Sequence, residues 1–431
     1  MKLLSAIPIQ RLTSRLVSIL LLALFFILGG ACNRESADPQ VGPLSAREAQ
    51  TVQHTTDFAF EAFRRLNTLK SSEKNQFISP FSIAMAVAMT ANGADGSTKA
   101  GIYQTLGMQG PTDEQINQSF GSLSRYLNGI DPKVRFEPAN SIWYRNTHTA
   151  QSAFVQTNQT YYDALVKGLN FNDAAGSKNT INSWVKEKTQ SKIEEIVDDI
   201  NDNHVMFLIN AIYFKGTWTY QFDKALTRPQ DFLLDEARGV RKDFMTTQGV
   251  MTYLADNEKV LVNVPYGNKQ FEMTLIMPQG NGTVDQLITS LNARKLAEWQ
   301  SQSKTGSVQV IMPKFTFEGD YTEKEFNQVL ADMGMNEAFV NSADFSRLLV
   351  GVGKGELKID EVVHKTFVQV DEEGTEAAAV TSAGIVLVSS AGGPIGPPQF
   401  IFNRPFVYMI REKNSGAILF MGKMMNPTVE K

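Results

Sequence analysis

The sequence predicts an α+β fold in one large domain, and three observations carry that reading. Helical spacings and long β-prone runs follow one another without the regular alternation of a doubly wound parallel sheet. No Pro-, Gly- or Ser-rich linker divides the chain before residue 372, although 431 residues could hold two or three average domains. Hydrophobic residues make up 42% and charged residues 20%, the balance of a chain that buries a sizeable core.

Taken in order, the chain starts with Lys2, Arg11 and Arg15 ahead of the apolar run Leu16 to Leu28. At 13 residues that run is short for a bilayer span and suits the core of a signal peptide over residues 1–31. Gly29-Gly30-Ala31 supplies small residues before Cys32, the one cysteine of the chain, which precludes an intramolecular disulfide despite the exported context. Cys32 in this setting resembles the lipid-modified cysteine of bacterial lipoproteins, with Gly29 standing where that motif has Leu and Leu28 one place early. The resemblance implies a chain exported to a bacterial cell envelope and held to a membrane by a lipid on Cys32, with polar residues 32–50 as a flexible tether. Secretion with a free thiol and an uncleaved anchor are the alternatives. Removing residues 1–31 takes three of the 41 basic residues and none of the 45 acidic ones, leaving a net charge of −7. That balance disfavours nucleic acid or heparin as an obligatory partner.

Helical spacing of Phe58, Ala62, Leu66 and Leu69 predicts an amphipathic first helix from about Asp57. Ser79-Pro80 reads as a cap and first-turn proline of a helix that is apolar nearly all round and therefore buried. Further helices are expected over 112–128, 153–165, 180–188 and within 284–300. Extended segments are expected from Asn140 to Tyr144, Val205 to Phe214, Val260 to Val264, Phe271 to Met277 and Val308 to Phe317. The strand Val205 to Phe214 is apolar apart from Asn210, as a strand covered on both faces must be. A buried Asn there needs hydrogen-bonding partners.

The stretch from Glu372 to Pro398 differs from everything around it. Gly374 to Ala379 is a glycine followed by small residues, and Ile385 to Val388 is an aliphatic run before a Ser, Gly and Pro tail. On composition alone, Ile385 to Val388 reads as an ordinary buried strand.

With its flanks, this stretch resembles the reactive-centre loop of the serpins. His364 to Ala379 (HKTFVQVDEEGTEAAA) is similar to the strand and hinge that feed the loop. Phe400 to Ile410 and Ile418 to Pro427 are similar to the family's C-terminal signature. The likeness runs back to about Asp57, which sets a serpin-like domain over residues 51–431 with its loop at 372–398. It implies a single domain with a large central mixed β-sheet, surrounding helices and an exposed loop. It further implies a hinge at Glu372, Gly374, Thr375, Glu376, Ala377, Ala378 and Ala379, and a shutter of Ser79, Ser82, Asn210 and His364 in which Asn210 pairs with His364. At the point where the loop enters the sheet it implies a breach of Trp218, Lys314 and Glu372, with Lys314 paired to Glu372. A core histidine without gating role and two solvated charges are the plain alternatives.

The implied activity is suicide inhibition of a serine protease by a monomer. The partner enzyme cuts the loop, and the freed segment enters the central sheet before the acyl-enzyme hydrolyses. Fourteen residues from Thr375 reach Val388, so the hinge count marks Val388-Ser389 as the reactive bond. An aliphatic residue there suits elastase-like enzymes, with chymotrypsin-like ones second. Counting back from the C-terminal signature lands near Pro394 instead, and Val386-Leu387 and Leu387-Val388 stay open. A non-inhibitory, envelope-tethered binding or structural protein is the alternative function.

Enzyme readings find little footing. The four histidines have no metal-ligand spacing, no G-x-S-x-G elbow occurs, and Gly351 to Gly355 reads as a turn rather than a phosphate loop. No cofactor and no metal are expected.

Overall fold

The computed structural model describes residues 42–69, 74–320, 323–360, 362–375 and 396–428. Cys32, Glu376 to Ala379 and the Val388-Ser389 bond lie outside the described residues.

Ser45 and Glu48 start helix α1 (Ala46–Leu69) by reciprocal side-chain bonds to each other's backbone N–H, at 2.7 and 3.3 Å. The helix therefore begins within the run expected to be a flexible tether to Gln50. Its buried face carries Phe58, Ala59, Ala62, Phe63 and Leu66, whereas Leu69, in the last turn, is exposed. Strand β1 (Gln76–Ile78) leads into α2 (Pro80–Ala91), where eleven of twelve residues are buried, as its all-round apolar sequence requires. Next come α3 (Gly96–Thr105), α4 (Asp113–Gly129), β2 (Val134–Arg145), α5 (Ser152–Tyr162), β3 (Leu165–Leu169), α6 (Ala174–Lys188) and β4 (Met206–Thr217). Asp95, Thr112 and Asp173 accept N-cap bonds at the starts of α3, α4 and α6.

The second half is mostly strand: β5 (Arg228–Leu233), β6 (Gly239–Ala255), β7 (Lys259–Tyr266) and β8 (Phe271–Pro278). Helices α7 (Val284–Ser290) and α8 (Ala293–Gln302) precede β9 (Lys304–Pro313) and β10 (Phe315–Asp320). Helix α9 (Glu323–Leu330) leads towards β11 (Lys365–Val370), the two-residue β12 (Gly374–Thr375), β13 (Gln399–Ile401), β14 (Phe406–Glu412) and β15 (Ile418–Met424). The expected continuous strand from Val308 to Phe317 is two strands in different sheets. Lys314 N–H still bonds Asp243 O of β6 at 2.9 Å, one rung beyond the Phe244–Pro313 pair, and from Phe315 onward the chain pairs with β11 instead.

One sheet has the order β1-β15-β14-β8-β7-β6-β9-β13, with β5 added beside β6. The other runs β10-β11-β12-β4-β2-β3 and is mixed, since β3 pairs in parallel with β2 while β4 is antiparallel to it. Ile212 and Phe214 of β4 join the main core with α2. Phe207, Ile209 and Ala211 alternate to the opposite face, where Ile181 and Val185 of α6 cover them. That two-sided burial is the physical source of the near-continuous apolar run.

Candidate functional site

The site centres on β12, whose two residues lie between β11 and β4 and pair with both. Thr375 faces Val370 on one side, and Gly374 and Thr375 face Thr217 and Gly216 on the other, all antiparallel. A tight reversal precedes it. Asp371 N–H donates to Gly374 O at 3.0 Å, and Asp371 Oδ1 accepts from Glu373 N–H at 3.0 Å. Gly374 has no room for a side chain, because a Cβ there would stand 2.1 Å from Gly216 O. Thr375 turns inward, and its hydroxyl lies 2.6 Å from the hydroxyl of Tyr266.

Trp218 clamps the reversal from beneath. Its indole N–H donates to Asp371 O at 2.9 Å, its backbone N–H to Glu373 O at 3.0 Å, and its ring stacks on Tyr266 at 4.2 Å between centroids. Glu372 is buried, with Lys314 Nζ 2.8 Å from Oε2 and Thr227 Oγ1 donating to Oε1 at 2.8 Å. Burial alone would raise its carboxyl. The Lys314 ammonium and the Thr227 hydroxyl outweigh that and hold it below the ordinary value. Glu373 pairs with Lys224. Trp218, Lys314, Glu372, Gly374 and Thr375 are thus brought together at one end of the β4–β11 gap.

Lower in the gap lies a second buried group. Ser79 occupies the N-cap position of α2 but does not cap it, because its hydroxyl donates to Leu419 O on β15 at 2.7 Å. Ser79 N–H donates to His364 Nε2 at 3.1 Å. His364 is fully enclosed, and burial pushes its imidazole down to about 3, so it is neutral at physiological pH. Asn210 bonds not to His364 but to Asn140, directly opposite on β2. Asn140 in turn donates to Tyr162 O at 2.7 Å. Among the described residues, Asn210 Oδ1 and Ser82 Oγ are buried without a hydrogen-bond partner.

At the far end, residues 203–208 and 355–360 contribute to the walls of a cavity of about 250 Å³. Its aliphatic lining includes Leu208, Leu357 and Ile359. Sequence reasoning passed over Asn140, Thr227, Tyr266 and Lys224. Asn140 sits in VRFEPANSIWYR, a strand with several other polar residues, so nothing local marked it.

Residues 53–427 match the family model described as Serpin (serine protease inhibitor). The chain is 34% identical over 376 residues to the corticosteroid-binding globulin of Pongo abelii, covering 86% of this chain and 89% of that one. It is 32% identical over 377 residues to the plasma serine protease inhibitor of Bos taurus, covering 86% and 90%. Its fold superimposes on the crystal structure of human thyroxine-binding globulin with a TM-score of 0.79 at 28% identity, covering 89% of this chain and all of that one. The native state of the thermophilic serpin tengpin gives 0.77 at 30% identity, covering 89% and 95%. On the extent of these matches, the chain belongs to the serpin family.

Proposed function

We propose that the chain is an irreversible suicide-substrate inhibitor of serine proteases, of the elastase-like class, acting from a lipid anchor on Cys32. The observation that carries the reading is β12, two hinge residues already paired between the strands that a cleaved loop would have to part.

A protease serine attacks the Val388 carbonyl, the Val388–Ser389 amide bond breaks, and Ser389 leaves as a free amine while Val388 stays esterified to the enzyme. Hydrolysis of that ester by water competes with entry of residues 376–388 into the sheet. Continuing the β12 register, residue 388 falls opposite Asn203 on the β4 side and Leu357 on the β11 side, both at the 250 Å³ cavity. This end point favours Val388 over Pro394 as the last inserted residue. At ~3.3 Å per residue the thirteen residues 376–388 span roughly 43 Å, which carries the enzyme to the opposite end of the sheet. About a dozen new ladder bonds at ~1 kcal/mol each rival the ~5 to 15 kcal/mol that stabilises an ordinary domain, so a kinetic barrier holds the uncut form.

Small residues Ala377, Ala378 and Ala379 suit passage between strands, and Val388 suits an elastase pocket. Mixing the chain with elastase tests the reading: a covalent complex joined through Val388 supports it, and complete loop turnover without complex refutes it. The names of the corticosteroid- and thyroxine-binding relatives favour a second reading, a non-inhibitory binding protein whose melting temperature does not rise on loop cleavage. Membrane attachment is tested separately. Mass spectrometry of the mature N-terminus carries a diacylglycerol on Cys32 if the proposal holds and an unmodified thiol if it fails.

A further inference from the structure

One end of the domain presents cations alone, although the chain as a whole has more acidic than basic residues, 45 against 41. Hydrogen bonds tie the segments of that end together. Asp131, in the loop after α4, accepts from Lys133 N–H at 2.9 Å and from Asn268 N–H of the β7–β8 turn at 2.7 Å. In the same turn, Gln270 O accepts from Lys413 N–H of the β14–β15 turn at 2.8 Å. Arg125, near the end of α4, and Arg47, in the first turn of α1, line one recess with Ser122 and Tyr161. Tyr126 joins these groups, because it feels the charges of both Glu412 and Glu48.

The carboxylates of these segments turn inward. Asp131 and Glu412 are buried, and Glu412 accepts from the N–H groups of Asn414 and Ser415. Glu48 is half-buried and accepts from Ser45 N–H. The cations turn outward. Arg47, Arg125, Lys133, Lys269 and Lys413 are all exposed, and none of them forms a salt bridge among the described residues. Lys269 Nζ donates to the neutral hydroxyl of Tyr220 at 2.9 Å, and Arg125 acts on Glu48 from beyond contact range. Short acidic side chains fold back onto turn N–H groups while long basic ones reach past them into water. The surface that results has one sign.

Such a surface attracts polyanions, and a plane of anionic headgroups can engage cations spread over three turns and two helices at once. Chain length selects the same partner. Ten positions separate Cys32 from Gly42, so a lipid on Cys32 would hold the approach to α1, and this end with it, within about 36 Å of a bilayer.

We infer that this end of the domain binds the surface of an anionic lipid bilayer through Arg47, Arg125, Lys133, Lys269 and Lys413. The inference rests on the proposed lipid anchor for its setting and goes beyond it by assigning a second, electrostatic contact that lays the domain against the membrane.

The test uses the full mature chain with Cys32→Ser, so that no lipid contributes, and measures cosedimentation with phosphatidylcholine vesicles with and without phosphatidylglycerol. Binding is expected to the anionic vesicles alone and to disappear at high salt. Lys133→Gln, Lys269→Gln and Lys413→Gln should each weaken it roughly fivefold, and the three together about a hundredfold. Lys354→Gln is the control, an exposed lysine in the turn that borders the far-end cavity, and should leave binding unchanged. No difference between the two vesicle types, an equal loss in Lys354→Gln, or tighter binding to a sulfated oligosaccharide than to the anionic vesicles overturns the inference. Whether Cys32 carries a lipid is read separately from the mass of the mature N-terminus, and an unmodified thiol removes the tether without altering the vesicle result.

Discussion

Under the proposed inhibitory mechanism, replacing Gly374 by alanine should turn the chain into a substrate, and the structure supplies the magnitude. A Cβ at residue 374 would lie 2.1 Å from Gly216 O and 2.9 Å from Thr217 Cα, backbone atoms of β4 that cannot rotate aside. Restoring ordinary contact needs the strands to separate by about 1 Å, which breaks the two β12–β4 pairs from which further insertion would grow. Overpacking of this kind costs ~1 to 3 kcal/mol. If the transition state for insertion bears it, trapping slows by roughly 5- to 150-fold while loop cleavage and deacylation proceed unchanged. The assay is titration of elastase against intact Gly374→Ala, reading moles of inhibitor consumed per mole of enzyme inactivated and the yield of complex stable in denaturing gels. Gly396→Ala is the control, since a Cβ there meets nothing within 4 Å. A Gly374→Ala chain with wild-type stoichiometry would refute the claim that insertion nucleates at β12.

Lys314→Met should lower stability at pH 7 by no more than about 1 kcal/mol, because Lys314 is partly solvent-exposed. The Glu372 carboxyl is held below its unfolded value of 4.5, so its contribution is present above that pH and is lost as pH falls through the folded value. Melting curves of Lys314→Met and wild type should therefore converge below pH 4.5. His364 carries the opposite relation to its charge. Its folded value of about 3 lies below the unfolded 6.5, so the unfolded chain binds more protons in that window and stability rises with pH. His364→Gln should flatten the acid slope of chemical-denaturation free energy between pH 3 and 6.5, each unit contributing at most ~1.4 kcal/mol. An unaltered slope would mean that His364 is protonated in the fold. Val388→Arg should redirect complex formation from elastase to trypsin-like enzymes, and continued preference for elastase would move the reactive bond elsewhere.

Much of the architecture was legible because its causes are local. The all-round apolar α2 and the β4 run, apolar from Met206 to Phe214 apart from Asn210, each follow from patterns within a dozen or so residues. The breach residues were found through likeness to a known motif, and the structure brings Lys314 and Glu372 to 2.8 Å. Three features were not legible. Ser79 was read both as a cap and as a shutter residue, and it does not cap, because its hydroxyl is taken by a carbonyl 340 positions away. Asn210 was expected beside His364 and instead bonds Asn140, because strand register sets those two asparagines face to face. The stretch Val308 to Phe317 has one uniform β character, but it serves two sheets, pairing with β6 as far as Lys314 and with β11 from Phe315.

By itself, the amino-acid order determined that α2 is buried on all sides, that β4 is covered on both faces, and that a stretch of small residues precedes an aliphatic run. These are properties of side-chain periodicity and local capping, which need no knowledge of distant neighbours. Only the tertiary structure decided that Gly374 and Thr375 sit between β11 and β4, which carbonyl receives the Ser79 hydroxyl, and that Asn210 keeps an unfilled acceptor. Those depend on register between segments far apart in the chain, and a shift of one residue would turn every side chain of a strand to the other face.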